Sequence, residues 1–243
     1  METLTQKFSV FLPVLNETKS LVKTITIIEK DCKNKIYQYL IVVSKKKTNN
    51  KSLDIIFNIK NKYKKKIKII FQKYPYFGGA MKSAINALKS NYFIMMASDL
   101  ETNPYDVKKL IKKSKIYPNS IIIGSRWQKK KSFKGYNKIK LVCNKLFNFF
   151  FSILFKSNVN DLTYGFRIYP SKVIKKIKLK ENKHPIMLES ILIPIKLNID
   201  IKSIVTNWKS RNEGFSSNGF FANFYYFITG FNIFFKKHRE LLK

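Results

Sequence analysis

The sequence predicts an α/β domain: a mostly parallel central sheet flanked by helices. Three observations carry this. Strand-like apolar runs alternate with helical patterns from Phe8 to Arg126. The interiors of those runs are apolar at consecutive positions, as strands buried on both faces require. A chain of 243 residues that is 45% hydrophobic is long enough for one sizeable core.

The elements follow in order. "FSVFLPVLNE" opens with a buried strand that ends at Pro13. Asn16 then starts a helical pattern through Leu21, Val22, Ile25 and Ile28. "IYQYLIVVS" (36–44) is a second buried strand, and "KKKTNNKS" is a polar loop. "SLDIIFNIKNKY" is a helix, and 66–72 a third strand. Two glycines open a helix over 77–90, and 91–98 is a fourth strand. Pro104 begins a further helix through Leu110 and Ile111, at a position that proline suits. Residues 120–126 form a fifth strand.

The second half is less regular. A long helix is expected over 136–156. "DLTYGFRIYP" (161–170) is a turn leading into an extended piece. Residues 184–197 read as helical, with Pro194 expected to bend or end the helix. A strand follows over 199–208, and an aromatic helix runs from Gly219 to a basic end. The pattern divides the chain into a domain over 1–217 and an aromatic, basic C-terminal helix over 218–243.

Lys and Arg total 48 against 14 Asp and Glu, a formal net charge of +34. The lysines punctuate nearly every helix and loop instead of forming one stripe. That argues against a nucleic-acid-binding surface and leaves solvated surface or attraction to an anionic membrane. Cys32 and Cys143 are isolated, which fits structural thiols in a reducing compartment. Spanning a bilayer takes about 20 apolar residues. The apolar stretches 141–155 and 219–235 are shorter and carry asparagine, so they read as packed or interfacial helices. A cytoplasmic chain, peripheral at the inner membrane face, is expected.

"ASDLETNP" stands out in so basic a chain, with Asp99 and Glu101 following the fourth strand. Carboxylates at this spacing can share a divalent cation and leave its other positions to phosphate oxygens. The same acids ahead of Pro104 also suit a helix N-terminus. In open parallel sheets, ligands bind beyond the carboxyl ends of the strands. Asn16, Ser44, Gly78, Asp99 and Arg126 all fall there. Only four arginines occur, and three of them, Arg126, Arg167 and Arg211, lie in this and the following motifs. Arginine grips phosphate with a rigid fork that lysine lacks.

The order of these pieces resembles the inverting family 2 glycosyltransferases of the GT-A fold, in particular the branch with dolichyl-phosphate mannosyltransferase. "FLPVLNE" resembles that family's opening strand and "FGGAMKSAINAL" its Gly-rich helix. "ASDLETNP" falls at its Asp-x-Asp motif, and "GSRW" at its Gly-Ser-Arg. "DLTYGFRIY" is similar to its Asp-x-x-Ser-Gly-Phe-Arg segment. "HPIMLESI" and "NWKSRNEGFSS" match its late Glu and its Arg-x-x-Gly-x-Ser. The resemblance spans about residues 8–217.

It implies transfer of a sugar from a nucleotide-diphosphate donor to a polyprenyl phosphate or glycan. Asp99 and Glu101 would hold Mg²⁺ or Mn²⁺. Pro13, Asn16, Glu17, Ser44, Gly78 and Gly79 would lie near the donor. Arg126 and Arg211 would neutralise phosphates. Asp161 and Arg167 would shape the "DLTYGF" turn by pairing with each other, and Ser216 would complete the last motif. Glu189 would be the general base for a hydroxyl acceptor, or would orient the sugar for a phosphate acceptor.

Two departures are visible. Ala97 stands where the first acid of Asp-x-Asp belongs. Ser44 and a run of lysines stand where the family has Asp-Asp-Gly-Ser. These departures leave open a non-catalytic homologue that binds a partner.

Overall fold

The computed structural model describes residues 6–211, 213 and 222–243. The strands are β1 (Phe8–Val14), β2 (Ile36–Val43), β3 (Ile67–Phe71), β4 (Tyr92–Met95), β5 (Ile121–Ser125), β6 (Phe133–Lys134), β7 (Arg167–Pro170), β8 (Ile201–Val205) and β9 (Trp208–Lys209). The helices are α1 (Lys19–Cys32), α2 (Asn50–Tyr63), α3 (Tyr76–Asn86), α4 (Val107–Ile116), α5 (Lys138–Leu154), α6 (Ser171–Lys176), α7 (Ile186–Lys196) and α8 (Ala222–Phe235).

Seven strands form one sheet in the order β3-β2-β1-β4-β7-β5-β8. β1, β2, β3 and β4 are parallel, as are β5 and β8. β7 runs antiparallel between β4 and β5. The expected mostly parallel sheet is therefore present, with one reversed strand at its centre. The expected strand over 199–208 divides in two. β8 stays in the main sheet, and β9 pairs with β6 in a separate two-stranded ribbon.

The register explains the unbroken apolar runs. Phe8, Val10, Leu12 and Val14 pack with α1, α2 and α4 on one face. Phe11 joins the opposite core with Met81, Phe151, Leu188 and Ile191. Each such fully buried side chain contributes about 1.5–3 kcal/mol. α7 continues two residues past Pro194 to Lys196. A proline in the last turn forfeits a single backbone hydrogen bond, which the surrounding core offsets.

α5 and α8 lie against each other through aromatic side chains. Phe151 meets Phe227 and Phe231 at ring-centroid distances of 5.8 Å. A Cβ on Gly230 would come within 2.1 Å of the Phe151 ring. Phe147, Phe151 and Tyr226 are thereby buried. The outer faces are not. Ile139, Val142, Leu146, Phe149 and Ile153 form an exposed stripe on α5, and Phe224, Phe231 and Phe235 are exposed on α8. Phe220 and Phe221 of the aromatic tail lie outside the described residues. Cys32 is buried, but Cys143 is exposed on α5, so only the first behaves as a core thiol. Among the described residues, no helix is long and apolar enough to cross a membrane.

Candidate active site

β4 ends at Met95, and the chain turns at the carboxyl rim of the sheet. Ser98 Oγ donates to the carbonyl of Pro13 at 2.5 Å, which ties this turn to the end of β1. Leu100 takes φ of 65°, a left-handed conformation unusual for leucine. That kink brings the flanking acids together, and Asp99 Oδ1 accepts the Glu101 N–H at 3.0 Å. The bland reading, a helix N-cap, falls to a different residue. Asn103 accepts the Tyr105 N–H at the start of the following helical turn.

One cation spans both acids. Arg211 Nε donates to Glu101 Oε1 at 2.8 Å, and its Nη2 lies 3.3 Å from Asp99 Oδ2. Burial raises the Glu101 pKa, the Asp99 charge raises it further, and Arg211 opposes both. Burial pulls the Arg211 pKa down, but Glu101 and Asp99 outweigh it and the net shift is upward. Two carboxylates already sharing a positive group suit a divalent ion that takes oxygen ligands. Among the described residues, no third His, Cys, Asp or Glu completes a metal cluster. Two protein ligands with the rest from phosphate and water is the usual pattern for Mg²⁺.

The other two motif arginines are buried. Arg126 does not line an open cleft. It is 5% exposed, and its Nε and Nη2 grip Asp161 at 2.9 and 2.8 Å. Tyr164 and Phe133 lie against its guanidinium at 4.4 and 5.1 Å. A side chain so enclosed is committed to its partner rather than to a substrate phosphate. Arg167 is not the partner of Asp161. It donates to the carbonyls of Leu162 and Met187, at 2.7 Å each. It therefore does brace the 161–166 turn, through backbone and not through the carboxylate.

Glu189 is 2% exposed and accepts the backbone N–H groups of Lys180 and Glu181 at 2.9–3.0 Å. Burial raises its pKa, and those amides oppose the rise. A carboxylate so occupied anchors a loop and does not stand free to take a proton. The same loop meets the glycines, since Gly78 N–H donates to the Asn182 carbonyl at 2.7 Å. A Cβ on Gly78 would come within 2.6 Å of that backbone. The close approach that calls for glycine is made by the chain itself, not by a ligand. His184 stacks on Phe77 at 5.2 Å. Burial, then the Arg211 charge, lowers its pKa to about 4, so it is neutral at pH 7.

On the other side of the acid pair, Glu17 folds back onto the N–H groups of Leu15 and Asn16, at 2.7 and 3.1 Å. Asn16 Oδ1 accepts from Asn49 at 3.3 Å. Ser44 N–H donates to Thr48 Oγ1 at 2.9 Å. These residues, with Pro13, line the rim where β1 and β2 end. Ser216 and Gly214 lie outside the described residues.

Sequence reasoning passed over Glu213. Its carboxylate accepts from the backbone of Thr18, Lys19 and Ser20 and from the Thr18 and Ser20 hydroxyls, at 2.7–3.2 Å. It closes the N-terminus of α1 from 193 to 195 positions away in sequence. The signal was there to read: an acid two residues from Arg211 in a chain poor in acids.

An open sheet with β7 reversed at its centre, and paired acids at the carboxyl end of β4, defines a GT-A-type transferase scaffold. The chain belongs to glycosyl transferase family 2, whose model matches residues 9–178. Family and fold make it a glycosyltransferase. It is 27% identical over 240 residues to the uncharacterized protein MJ1222 of Methanocaldococcus jannaschii, covering 93% of this chain and 89% of that one. Its structure is similar to glucosyl-3-phosphoglycerate synthase of Mycobacterium tuberculosis in complex with Mn²⁺, UDP and phosphoglyceric acid. That match has a TM-score of 0.73 and 14% identity, and covers 96% of this chain and 80% of that one. The same enzyme with Mn²⁺, UDP-glucose and phosphoglyceric acid matches with a TM-score of 0.72 and 11% identity, covering 94% and 80%.

Proposed function

We propose that this chain moves a sugar, with inversion, from a nucleotide-diphosphate donor to a polyprenyl phosphate or glycan at the inner face of a membrane, as in the dolichyl-phosphate mannosyltransferase branch. The observation that carries the reading is the Asp99–Glu101 pair at the carboxyl end of β4, both acids drawn to one cation. Asp99 and Glu101 would hold Mg²⁺ or Mn²⁺, and such an ion supplies Lewis-acid charge to a departing diphosphate. The neighbour holding Mn²⁺ and UDP supports this assignment. Arg211 carries a half-buried fork beside the pair, suited to a phosphate once the acids take a metal. Arg126 holds Asp161, and Arg167 holds the turn that follows. Occupation of Glu189 by two amides favours a phosphate acceptor, which is already an anion and needs no base.

In this reading residues 1–217 carry the transfer chemistry and 218–243 contribute to a membrane contact. The exposed stripes of α5 and α8 supply the apolar surface. No acid occurs between Asp106 and Asp161, while lysines recur at 138, 140, 145 and 156. Each basic residue near an anionic leaflet adds about 1 kcal/mol. Flotation with anionic vesicles checks this: Phe149→Ser with Phe235→Ser should leave the protein in the soluble fraction, and unchanged flotation rules the face out.

Turnover of UDP-, GDP- and CDP-sugars with Mn²⁺ tests the chemistry. Steady turnover that falls at least a hundredfold in Asp99→Ala is the expected result. No turnover of any donor by the wild type favours the non-catalytic homologue. Ala97 at the first acid position, and Lys45 to Lys47 in place of acids, favour that second reading.

A further inference from the structure

Leu100 is not the one left-handed residue at the rim. Tyr76, the first residue of α3, has φ of 62° and an exposed ring. A left-handed backbone at a bulky residue is strained, and such strain clusters where a ligand is held. The Lys47 ammonium lies 5.4 Å from that ring and the Lys183 ammonium 5.9 Å from it. Lys183 also lies 4.5 Å from Tyr225. Lys47 comes from the loop after β2 and Lys183 from the loop before α7, so two separate parts of the chain converge on Tyr76, and Tyr225 of α8 flanks Lys183.

The corner is built, not incidental. Glu189 fixes the 180–183 loop through two amides. That loop is fixed in turn to the first turn of α3, where Gly78 N–H donates to Asn182 O. Thr48 Oγ1 donates to the Val14 carbonyl and holds the Lys47 loop against β1. The motif residues Gly78 and Glu189 thereby set the separation between Lys183 and Tyr76. Among the described residues, no ion pair involves Lys47 or Lys183. The nearby Glu181 carboxylate is engaged by Thr229 at 2.9 Å. Lys47 follows β2 as Asp99 follows β4, and both strands run parallel to β1, so the corner and the acid pair lie on one carboxyl rim of the sheet.

We propose that Lys47, Tyr76 and Lys183 form a subsite for a phosphate group on the acceptor. The tyrosine ring gathers two ammonium groups that no ion pair neutralises among the described residues, and a phosphate entering there meets the charge of both. The proposal rests on the transferase reading and names the chemistry of its second substrate.

The test is binding, without metal or donor, of two probes: inorganic phosphate and a short-chain isoprenyl phosphate, each followed by ³¹P NMR. Lys47→Gln combined with Lys183→Gln should weaken both at least tenfold and leave the affinity for UDP with Mn²⁺ unchanged. Tyr76→Gly should raise the melting temperature, by relieving the backbone, and still weaken both probes. A structural role alone does not produce that opposite pair of effects. Tighter binding of the isoprenyl phosphate than of inorganic phosphate identifies a lipid source, and equal binding a soluble one. Unchanged phosphate binding in the double variant overturns the proposal. So does a loss confined to UDP, which would assign the corner to the donor. A wild type that binds phosphate at this corner but never UDP would sink the transferase reading and leave the subsite standing.

Discussion

Arg126 and Asp161 form a buried ion pair, with two guanidinium nitrogens on two carboxylate oxygens at 2.8–2.9 Å. Asp161 Oδ2 also accepts the Arg126 backbone N–H at 2.9 Å. Burial alone would lower the Arg126 pKa, and the carboxylate more than restores it. Removing one partner leaves a charge without compensation in a dry site. Asp161→Ala is therefore expected to cost about 3–5 kcal/mol in a denaturant melt. Replacing both with leucines should cost clearly less than the single change. Equal losses for the single and double variants would show that packing, not charge, holds this corner.

Glu189 separates two roles that its place in the sequence could not. As a loop anchor, it should lose stability on change to Ala, by about 1–3 kcal/mol, because two half-buried amides lose their acceptor. The Lys180 and Glu181 amides should then exchange with solvent at least tenfold faster. Glu189→Gln keeps an acceptor oxygen and should retain most activity toward a phosphate acceptor. A hundredfold fall in kcat for Glu189→Gln, with the fold intact, would restore it as a base.

The sheet was legible because its strands are buried on both faces, so runs such as "YLIVV" have no other use. The acids at 99 and 101 were legible because they end one of those runs. Two things were not. The reversal of β7 is set by which strands flank it, β4 on one side and β5 on the other, and "RIYP" reads the same in either direction. The partner of Asp161 was also hidden. Arg126 and Arg167 are both arginines in motifs, and only the packing of Tyr164 and Phe133 around Arg126 decides between them. The glycines at 78 and 79 correctly signalled close approach, but sequence could not say that the approaching group is the chain's own loop.

His184 makes stability depend on pH. Its folded pKa is lowered to about 4 from 6.5, so above pH 6.5 both folded and unfolded forms are neutral and the contribution is fully present. Below pH 6.5 the unfolded chain takes up the proton first, and stability falls until the folded imidazole titrates near pH 4. The loss across that window is ~3 kcal/mol. His184→Phe keeps the stack on Phe77 and should flatten this part of the profile. Urea midpoints measured from pH 7 to pH 4 for both proteins check it, and parallel curves would count against a buried neutral imidazole.

Glu213 makes a lower-lying pH dependence of the same sign. Burial pushes its pKa up, but the Ser20 and Thr18 hydroxyls and backbone amides prevail and hold it at about 2 against an ordinary 4.5. A carboxyl depressed in the folded state stabilises fully above pH 4.5. That stabilisation fades as pH falls toward 2, because the unfolded chain is protonated first. The carboxylate also faces the positive end of the α1 dipole, where an acceptor is worth about 1 kcal/mol. Glu213→Gln should therefore lower stability at pH 7 by about that amount and lose less than the wild type between pH 4.5 and 2. The Ser20 and Thr18 amides, followed by hydrogen exchange at pH 7, should become less protected in the variant. Protection equal to that of the wild type would mean that Glu213 does not close this helix.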